Sequence, residues 1–183
     1  MTSDHGEYLG EHGLWDHGLT VYSQVVDVPL VIAAPGRLPS GTRVSTPVQM
    51  HDAYGTLLDL AGLEHPGRTS LVPVVAGAPR PGPIVAKAWA SRSWSESIGG
   101  RFANDWSLYR EGSWALISSS GGDRQLFNLS TDRGMTRDVG TAHPERLAQM
   151  VAKANASFVE ASADGRDVEL SPHVVEELRA LGY

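Results

Sequence analysis

The chain has 183 residues, of which 41% are hydrophobic and 20% are charged, a composition typical of a folded globular domain and not of a disordered segment. It contains no cysteine, which excludes disulfides, thiolate metal sites and a cysteine nucleophile among these residues. Its 15 basic and 21 acidic residues give a formal net charge of -6, which argues against nucleic acid or an anionic membrane as a partner.

The first element is a segment dense in chemically active side chains. MTSDHGEYLGEHGLWDHG contains three histidines, two aspartates, two glutamates and four glycines. Asp4 and His5 are adjacent, so their side chains can reach one ion only where the backbone turns, and we expect Gly6 to provide the freedom for that turn. A carboxylate oxygen beside an imidazole suits Ca²⁺, Mn²⁺, Mg²⁺ or Zn²⁺. The pair is therefore a candidate metal site.

More polar residues follow within the same segment. His12, Asp16 and His17 lie on glycine-hinged turns, so we expect them near the same cavity, as ligand-supporting groups, as an acid or as donors to an anionic substrate. The alternative for Asp16, and for Glu7 and Glu11, is that they are solvated loop charges.

The next residues favour an α/β arrangement. LTVYSQVV has the spacing of a short helix, and the continuous apolar run VPLVIAA predicts a buried strand. Thr46-Pro47 predicts the start of a helix over MHDAYGTLLDLA that stops at Gly62. The residues expected on the buried face of this helix are Leu57, Leu58, Leu60 and Ala61.

The rest of the chain has a different pattern. Residues 64–82 are rich in proline and glycine and predict a connection, after which a period of two predicts three or four antiparallel strands within residues 83–130. Glu111-Gly112 is the expected hairpin turn. PERLAQMVAKANASFVEA predicts a helix, and Ser171-Pro172 predicts the start of a last one. The predicted divisions are an α/β part over 1–63, a connection over 64–82 and a small antiparallel subdomain with terminal helices over 83–183.

An ordered series of motifs makes the sequence similar to a known family. Thr2-Ser-Asp-His-Gly-Glu, Leu9-Gly-Glu-His-Gly-Leu-Trp, Asp16-His-Gly, Tyr22 and Val28-Pro-Leu-Val-Ile resemble the carboxy-terminal metal-site segment of the sulfatase family, in the alkaline phosphatase superfamily. VSTPVQMHDAYGTLLDLAGL resembles the family's helix after its central sheet, and SWALISS with QLFNLSTDRGMTRDVG resembles its carboxy-terminal strands. The resemblance to arylsulfatases and phosphonate monoester hydrolases is strong over residues 2–33 and 44–63 and looser over 64–105.

The resemblance implies a metal-dependent sulfuric ester hydrolase, built here as the carboxy-terminal part of an alkaline-phosphatase-like sandwich followed by a small antiparallel sheet. Asp4 and His5 match positions of metal ligands, and the ion is usually Ca²⁺ in sulfatases and often Mn²⁺ or Zn²⁺ in phosphonate hydrolases. His17 matches a lysine or histidine that contacts the substrate anion and helps to protonate the leaving oxygen, so it is the candidate catalytic residue. The implied substrate is a small-molecule or saccharide sulfate ester.

Two family motifs have no counterpart in the sequence. Family members carry an Asp-Asp or Asp-Asn metal pair after their first strand and a Cys/Ser-x-Pro-x-Arg motif whose first residue becomes formylglycine, the nucleophile. We therefore expect Met1 to be an internal or artificial start, and the chain to be a carboxy-terminal fragment that is inactive without the missing amino-terminal part of the enzyme. The polar opening lacks a secretory signal, which makes the cytoplasm the default compartment.

Two other functions remain open at this stage. One is a noncatalytic binding or interaction module that keeps the fold. The other is a relative that hydrolyses phosphonates, or one that hydrolyses phosphodiesters or transfers phosphate with threonine or serine as the nucleophile.

Overall fold

The computed structural model describes residues 1–90 and 103–163, together with residues 171, 173, 174 and 176. The chain divides into two compact units, Met1–Met150 and Val151–Tyr183. The candidate site and the antiparallel sheet both belong to the first unit. The predicted three-part division into residues 1–63, 64–82 and 83–183 stays a prediction.

Two short strands begin the chain and are followed by three helices, four strands and one long helix among the described residues. Two single turns of 3₁₀ helix lie at Glu11–Gly13 and Gly140–Ala142. None of the described helices is both long enough and apolar enough to cross a bilayer. The strands and α-helices are β1 Tyr8–Leu9, β2 Trp15–Asp16, α1 Ser23–Val26, α2 Met50–Leu60, α3 Val72–Val75, β3 Ile84–Ala88, β4 Trp106–Glu111, β5 Trp114–Ser119, β6 Arg124–Asn128 and α4 Pro144–Ala163.

The predicted antiparallel sheet is confirmed. Its four strands lie in the order β3-β4-β5-β6, and each neighbouring pair is antiparallel. Glu111 pairs with Trp114 across the predicted turn, where Gly112 has a φ of 58°. Glycine adopts this left-handed conformation without the steric cost of a Cβ atom, which explains why the hairpin turns here.

One hydrophobic core joins this sheet to the amino-terminal segment. The sheet contributes residues such as Trp106, Leu108 and Phe127, each 2% exposed. The amino-terminal part contributes apolar side chains to the same cluster, namely Tyr8, Leu14, Val21, Tyr22 and Val25. Burial of these side chains removes apolar surface from water, so it fixes the polar residues between them against the sheet.

The prediction of a buried strand over VPLVIAA is wrong for the described residues. Leu30 forms a single antiparallel bridge with Thr2, and Met1 and Val31 exchange two hydrogen bonds. Val31 is 52% exposed. Within the described part of the chain only the first residues pair with this run, so its apolar side chains lack the covering layers that a buried strand requires.

Helix α2 is confirmed, but its start and its buried face differ from the prediction. The residue that caps it is Gln49 and not Thr46. The Gln49 backbone amide donates to Asp52 Oδ2 at 2.8 Å, as part of a reciprocal capping box. The buried side is the polar one, where Asp52 is fully buried and pairs with Arg80, whose Nε lies 2.6 Å from Asp52 Oδ2. Leu57, expected inside, is 62% exposed.

The connection over residues 64–82 and the carboxy-terminal helices are the remaining predicted elements. The connection over residues 64–82 contains a short helix, α3, which begins after the buried residue Leu71; the Leu71 amide donates to Thr56 Oγ1 at 2.9 Å. The long helix over PERLAQMVAKANASFVEA is confirmed as α4. The last predicted helix, from Ser171-Pro172, lies mostly outside the described residues.

Candidate functional site

The candidate site is built on a tight antiparallel hairpin. β1 and β2 pair Tyr8 with Asp16 and Leu9 with Trp15. The backbone twice enters the left-handed region here, with φ of 56° at His12, between the strands, and of 71° at Asp16, the last residue of β2. Such values are uncommon outside glycine and are enriched in aspartate and histidine, which accounts for the residue types found there. The hairpin brings Glu7 and His17, ten positions apart, to the same end.

Gly6 is required for space, which differs from the role predicted for it. It is not among the glycines with positive φ. Its amide donates to the Val25 carbonyl at 2.9 Å, and a Cβ atom at this position would collide with the Gln24 carbonyl oxygen. The glycine therefore lets the Asp4–His5 segment lie directly against α1.

The buried Tyr8 hydroxyl fixes the position of β1. Its oxygen lies 2.6 Å from Thr20 Oγ1 and accepts a hydrogen bond from the Tyr22 amide at 3.1 Å. The Tyr8 side chain is 0% exposed, so both bonds form away from water and their loss would leave buried polar groups unpaired. Tyr8 thus holds Glu7, its neighbour in sequence, in a defined place.

His12 supports the hairpin and does not join the Asp4–His5 cluster, contrary to the expectation for it. Its ring stacks on Tyr22 with centroids 3.9 Å apart and planes at 7°. Its Nε2 lies 3.1 Å from the Gly134 carbonyl oxygen, in the loop after β6. His12 therefore ties the hairpin to the antiparallel sheet.

Asp4 and His5 lie close enough to share one ion. Asp4 Oδ2 is 3.8 Å from His5 Nε2, and Asp4 Oδ1 accepts the His5 amide at 3.0 Å. His5 Nδ1 lies 2.9 Å from the Gly6 carbonyl oxygen. Because a carbonyl oxygen only accepts, Nδ1 carries the proton, and a neutral imidazole then has its lone pair on Nε2, the nitrogen measured to Asp4.

This arrangement fits a divalent cation. A hydrogen bond from the distal imidazole nitrogen to a carbonyl is the usual way in which a metal-binding histidine is oriented. One carboxylate oxygen and one imidazole nitrogen suit Ca²⁺, Mn²⁺ or Zn²⁺ when other groups complete the coordination. The assignment of Asp4 and His5 as metal ligands stays a prediction.

His17 stands beside this pair. Its ring stacks on the His5 ring with centroids 3.8 Å apart and planes at 21°. Its Nδ1 lies 2.9 Å from Glu7 Oε1 and 2.8 Å from Asp16 Oδ1. Glu7 is the hydrogen-bond partner of Nδ1 and the Asp16 carboxylate lies beside the same nitrogen, so Nε2 is on the opposite side of the ring. The structure brings Asp4, His5 and His17 together, as the sequence predicted.

Glu7 is the residue that the sequence did not single out. It was expected, if anything, to be a solvated loop charge, yet its carboxylate bonds His17 and lies 4.0 Å from His5 Nδ1. The three side chains of His5, Glu7 and His17 offer ligand atoms within 4.8 Å of one another. The only sequence signal for this was the density of acidic and histidine residues.

Two carboxyl groups around the hairpin have lowered pKa values. The Leu9 amide donates to Glu11 Oε2 at 2.7 Å, and this bond lowers the pKa of the exposed Glu11 carboxyl. Partial burial raises the pKa of Asp132, but hydrogen bonds from Thr136 and Arg137 lower it by more, so the net direction is downward. Both groups therefore favour the ionised form in the folded chain.

Comparison with known proteins identifies relatives over most of the chain. Residues 10–81 match the family described as N-sulphoglucosamine sulphohydrolase, C-terminal. Arylsulfatase K of Danio rerio is 32% identical over 166 residues, covering 87% of this chain and 31% of the relative. Choline-sulfatase of Rhizobium meliloti is 35% identical over 136 residues, covering 71% of this chain and 24% of the relative. The chain thus spans a third or less of the length of these proteins.

Solved structures are similar in fold. BT4656, determined in complex with its substrate D-glucosamine-2-N,6-O-disulfate, superposes with a TM-score of 0.71 at 19% identity, covering 92% of this chain and 35% of that one. The phosphonate monoester hydrolase of Agrobacterium radiobacter gives a TM-score of 0.65 at 22% identity, covering 88% of this chain and 34% of that one. The sequence relatives show that the chain belongs to the sulfatase family, as a carboxy-terminal portion, and the solved structures show that it has the alkaline-phosphatase-like fold.

Proposed function

We propose that this chain supplies one half of the metal and substrate site of a metal-dependent sulfuric ester hydrolase. In this proposal Asp4 and His5 are metal ligands, and His17 contacts the substrate. The observation that carries it is the position of the His5 ring, which lies between the Asp4 carboxylate, 3.8 Å from its Nε2, and the ring of His17, with centroids 3.8 Å apart. A cation held by Asp4 and His5 would therefore lie within reach of an anion bound by His17.

The two ligands would contribute differently. Asp4 brings a negative charge and an oxygen donor, and His5 presents Nε2 because its Nδ1 proton is donated to Gly6. We favour Ca²⁺ because it is the usual ion in the sulfatases that the sequence resembles. Mn²⁺ and Zn²⁺ are alternatives, because the two donors alone do not select among these ions. When bound, such an ion withdraws electron density from the ester oxygens that it contacts.

His17 would bind the sulfate group or donate a proton to the leaving oxygen. The Glu7 and Asp16 carboxylates both lie within 3 Å of Nδ1, so Nε2 is the nitrogen turned away from them. The hydrogen bond between Nδ1 and Glu7 and the Asp16 carboxylate beside the same nitrogen restrict rotation of the ring, and a ring held in place loses less entropy when the substrate binds. Glu7 and Asp16 are thus positioning residues for His17.

The relatives support the proposed substrate class. One of them is a choline-sulfatase, and BT4656 was solved with a disulfated glucosamine, so we propose a small-molecule or saccharide sulfate ester. A phosphonate monoester is the second candidate. It is favoured by the adjacent Asp4 and His5, a pair that resembles the phosphonate hydrolase branch, and by the fold likeness to a phosphonate monoester hydrolase.

The proposal also includes the source of the nucleophile. The 183 residues contain no cysteine and no Ser-x-Pro-x-Arg motif. We therefore propose that residues outside this sequence supply the nucleophile and the remaining ligands, and that the 183-residue chain alone hydrolyses no ester.

The experiment compares the 183-residue chain with the product of the complete reading frame that contains it. Both are assayed with an aryl sulfate and an aryl phosphonate in the presence of Ca²⁺, Mn²⁺ or Zn²⁺. We expect turnover only from the longer product, a loss of about 100-fold on His17→Ala, and a Cys/Ser-x-Pro-x-Arg motif upstream of Met1. Turnover that is unchanged in His17→Ala contradicts the role of His17, and a folded, inactive product without the upstream motif favours a noncatalytic module.

A further inference from the structure

A second group of ligand atoms lies beside the Asp4–His5 pair. His5, Glu7 and His17 each offer one nitrogen or oxygen, and these atoms lie within 4.8 Å of one another. We define these three residues as the His-Glu-His triad. The triad shares only His5 with the sulfatase-type pair, which is Asp4 and His5. Asp4 is not a member of the triad.

We propose that the His-Glu-His triad is an alternative binding site, overlapping the Asp4–His5 pair at His5, for a borderline transition-metal ion such as Zn²⁺. Two imidazoles and one carboxylate are a donor set that Zn²⁺ binds readily, and it leaves a fourth position for water or another ligand. Ca²⁺ prefers six to eight oxygen donors, so a triad with a single carboxylate selects against it.

The two distances from Glu7 are within about 0.7 Å of the spacing that a tetrahedral ion imposes. With metal–ligand bonds of 2.0–2.1 Å, neighbouring ligand atoms in a tetrahedral site lie about 3.3 Å apart. The Glu7 Oε1 atom lies 2.9 Å from His17 Nδ1 and 4.0 Å from His5 Nδ1. These two separations would have to change by about 0.4 and 0.7 Å to reach this spacing, and the two imidazole nitrogens, which lie within 4.8 Å of each other, would have to approach it as well.

The two imidazoles must change their orientation for this to happen. Their rings are stacked, with planes at 21°, and the lone pairs of stacked rings lie in nearly parallel planes and do not converge. The side chains of His5, Glu7 and His17 are 33%, 47% and 43% exposed, so there is room for a change of rotamer. Coordination through His5 Nδ1 would cost its hydrogen bond to the Gly6 carbonyl.

The triad has a consequence for the proposed hydrolase. An ion in the triad would occupy His5 and His17 together, which the sulfatase-type site needs for a cation and for the substrate. We therefore expect Zn²⁺ at the triad to compete with the productive arrangement. The inference goes beyond the proposed function and does not depend on it, because the triad lies entirely within this chain.

Isothermal titration calorimetry of the 183-residue chain with ZnCl₂ and CaCl₂ tests this inference. We expect one Zn²⁺ per chain, bound at least about tenfold more tightly than Ca²⁺. Glu7→Gln and His17→Phe should each weaken Zn²⁺ binding about tenfold or more, since loss of a ligand costs at least as much as loss of a supporting group. The phenylalanine keeps an aromatic ring against His5, and circular dichroism confirms that each variant is folded.

Two control variants make the test specific. Asp27→Asn removes a half-exposed carboxylate that belongs to neither the Asp4–His5 pair nor the triad, and His51→Gln removes an exposed histidine beside another aspartate, Asp52. Both should leave the Zn²⁺ affinity within about twofold of the parent chain, as expected for residues that are not ligands. The proposal is overturned if the parent chain binds no Zn²⁺, or if Asp27→Asn or His51→Gln weakens binding as much as Glu7→Gln does.

Discussion

The rings of His5 and His17, twelve positions apart in the sequence, lie stacked with their centroids 3.8 Å apart. This contact exists because the β1–β2 hairpin folds the chain back, with Glu7 bridging to His17 at 2.9 Å. It places a predicted metal ligand directly against a predicted substrate-binding residue. The hairpin is in turn held by buried anchors, so the integrity of the site can be tested through the stability of the fold.

Gly6→Ala tests the close approach between the site segment and α1. The new Cβ atom would collide with the Gln24 carbonyl oxygen, so the backbone must move and the Gly6–Val25 hydrogen bond must weaken. We expect the free energy of unfolding, measured in urea, to fall by about 2 kcal/mol. Gly134→Ala is the matched control, because the nearest atom there would be 3.4 Å away and its φ is not positive. Equal losses in both variants would refute the explanation.

Tyr8→Phe tests the buried hydroxyl that fixes β1. The variant keeps the ring but removes the acceptor for the Tyr22 amide and the partner of Thr20. An unpaired buried polar group costs about 1–3 kcal/mol, and we expect a loss of unfolding free energy in this range. Tyr54→Phe provides the comparison, since Tyr54 is 53% exposed and should lose almost nothing. If Tyr8→Phe were as stable as the parent chain, the hydroxyl would not be an anchor.

Arg80→Met tests the ion pair that buries the polar side of α2. Asp52 is 0% and Arg80 6% exposed as side chains, so removal of the guanidinium leaves a buried carboxylate without its cation. The expected loss of unfolding free energy is about 3 kcal/mol. Asp27→Asn, in the looser 3.7 Å pair with Arg110, should cost less than about 1 kcal/mol. Thermal and urea unfolding that rank the two variants the other way would contradict this view of α2.

The lowered pKa of Asp132 predicts a pH dependence of stability. Its carboxylate accepts hydrogen bonds from the Thr136 and Arg137 amides, and the net effect is that the folded chain binds this proton less readily than the unfolded chain does. The contribution to stability is therefore complete above the ordinary aspartate pKa, about 3.9, and is lost as the pH falls through the lowered value. The parent chain should exceed Asp132→Asn in unfolding free energy near neutral pH, and the difference should shrink below about pH 4. A difference that does not vary with pH would show that the carboxylate charge is irrelevant.

The antiparallel sheet could be predicted because its signals are local. A period of two marks β4 and β5, and Glu111-Gly112 marks the turn between them. The closeness of Asp4, His5 and His17 could also be predicted, since they lie within one short segment that is dense in acidic residues and histidines. The family resemblance added the roles that we propose for these residues.

The features that the sequence did not predict depend on contacts between distant residues. The buried face of α2 is set by Arg80, 28 positions after Asp52, and such a pair leaves no periodic pattern. The bond between Glu7 and His17 depends on the exact closure of the hairpin. The composition of the run VPLVIAA predicts a buried strand. Among the described residues, however, only residues 1 and 2 form backbone pairs with this run, so burial did not follow from hydrophobicity.

The metal dependence of ester hydrolysis, measured on the product of the complete reading frame with Asp4→Asn as the variant, tests the central claim most directly. We expect turnover of an aryl sulfate to require a divalent ion, and Asp4→Asn to reduce kcat/KM by about 100-fold and to raise the ion concentration needed for half-maximal rate. An Asp4→Asn protein with the parent rate and the same ion requirement would contradict the assignment of Asp4 and His5 as the chain's share of a sulfatase metal centre.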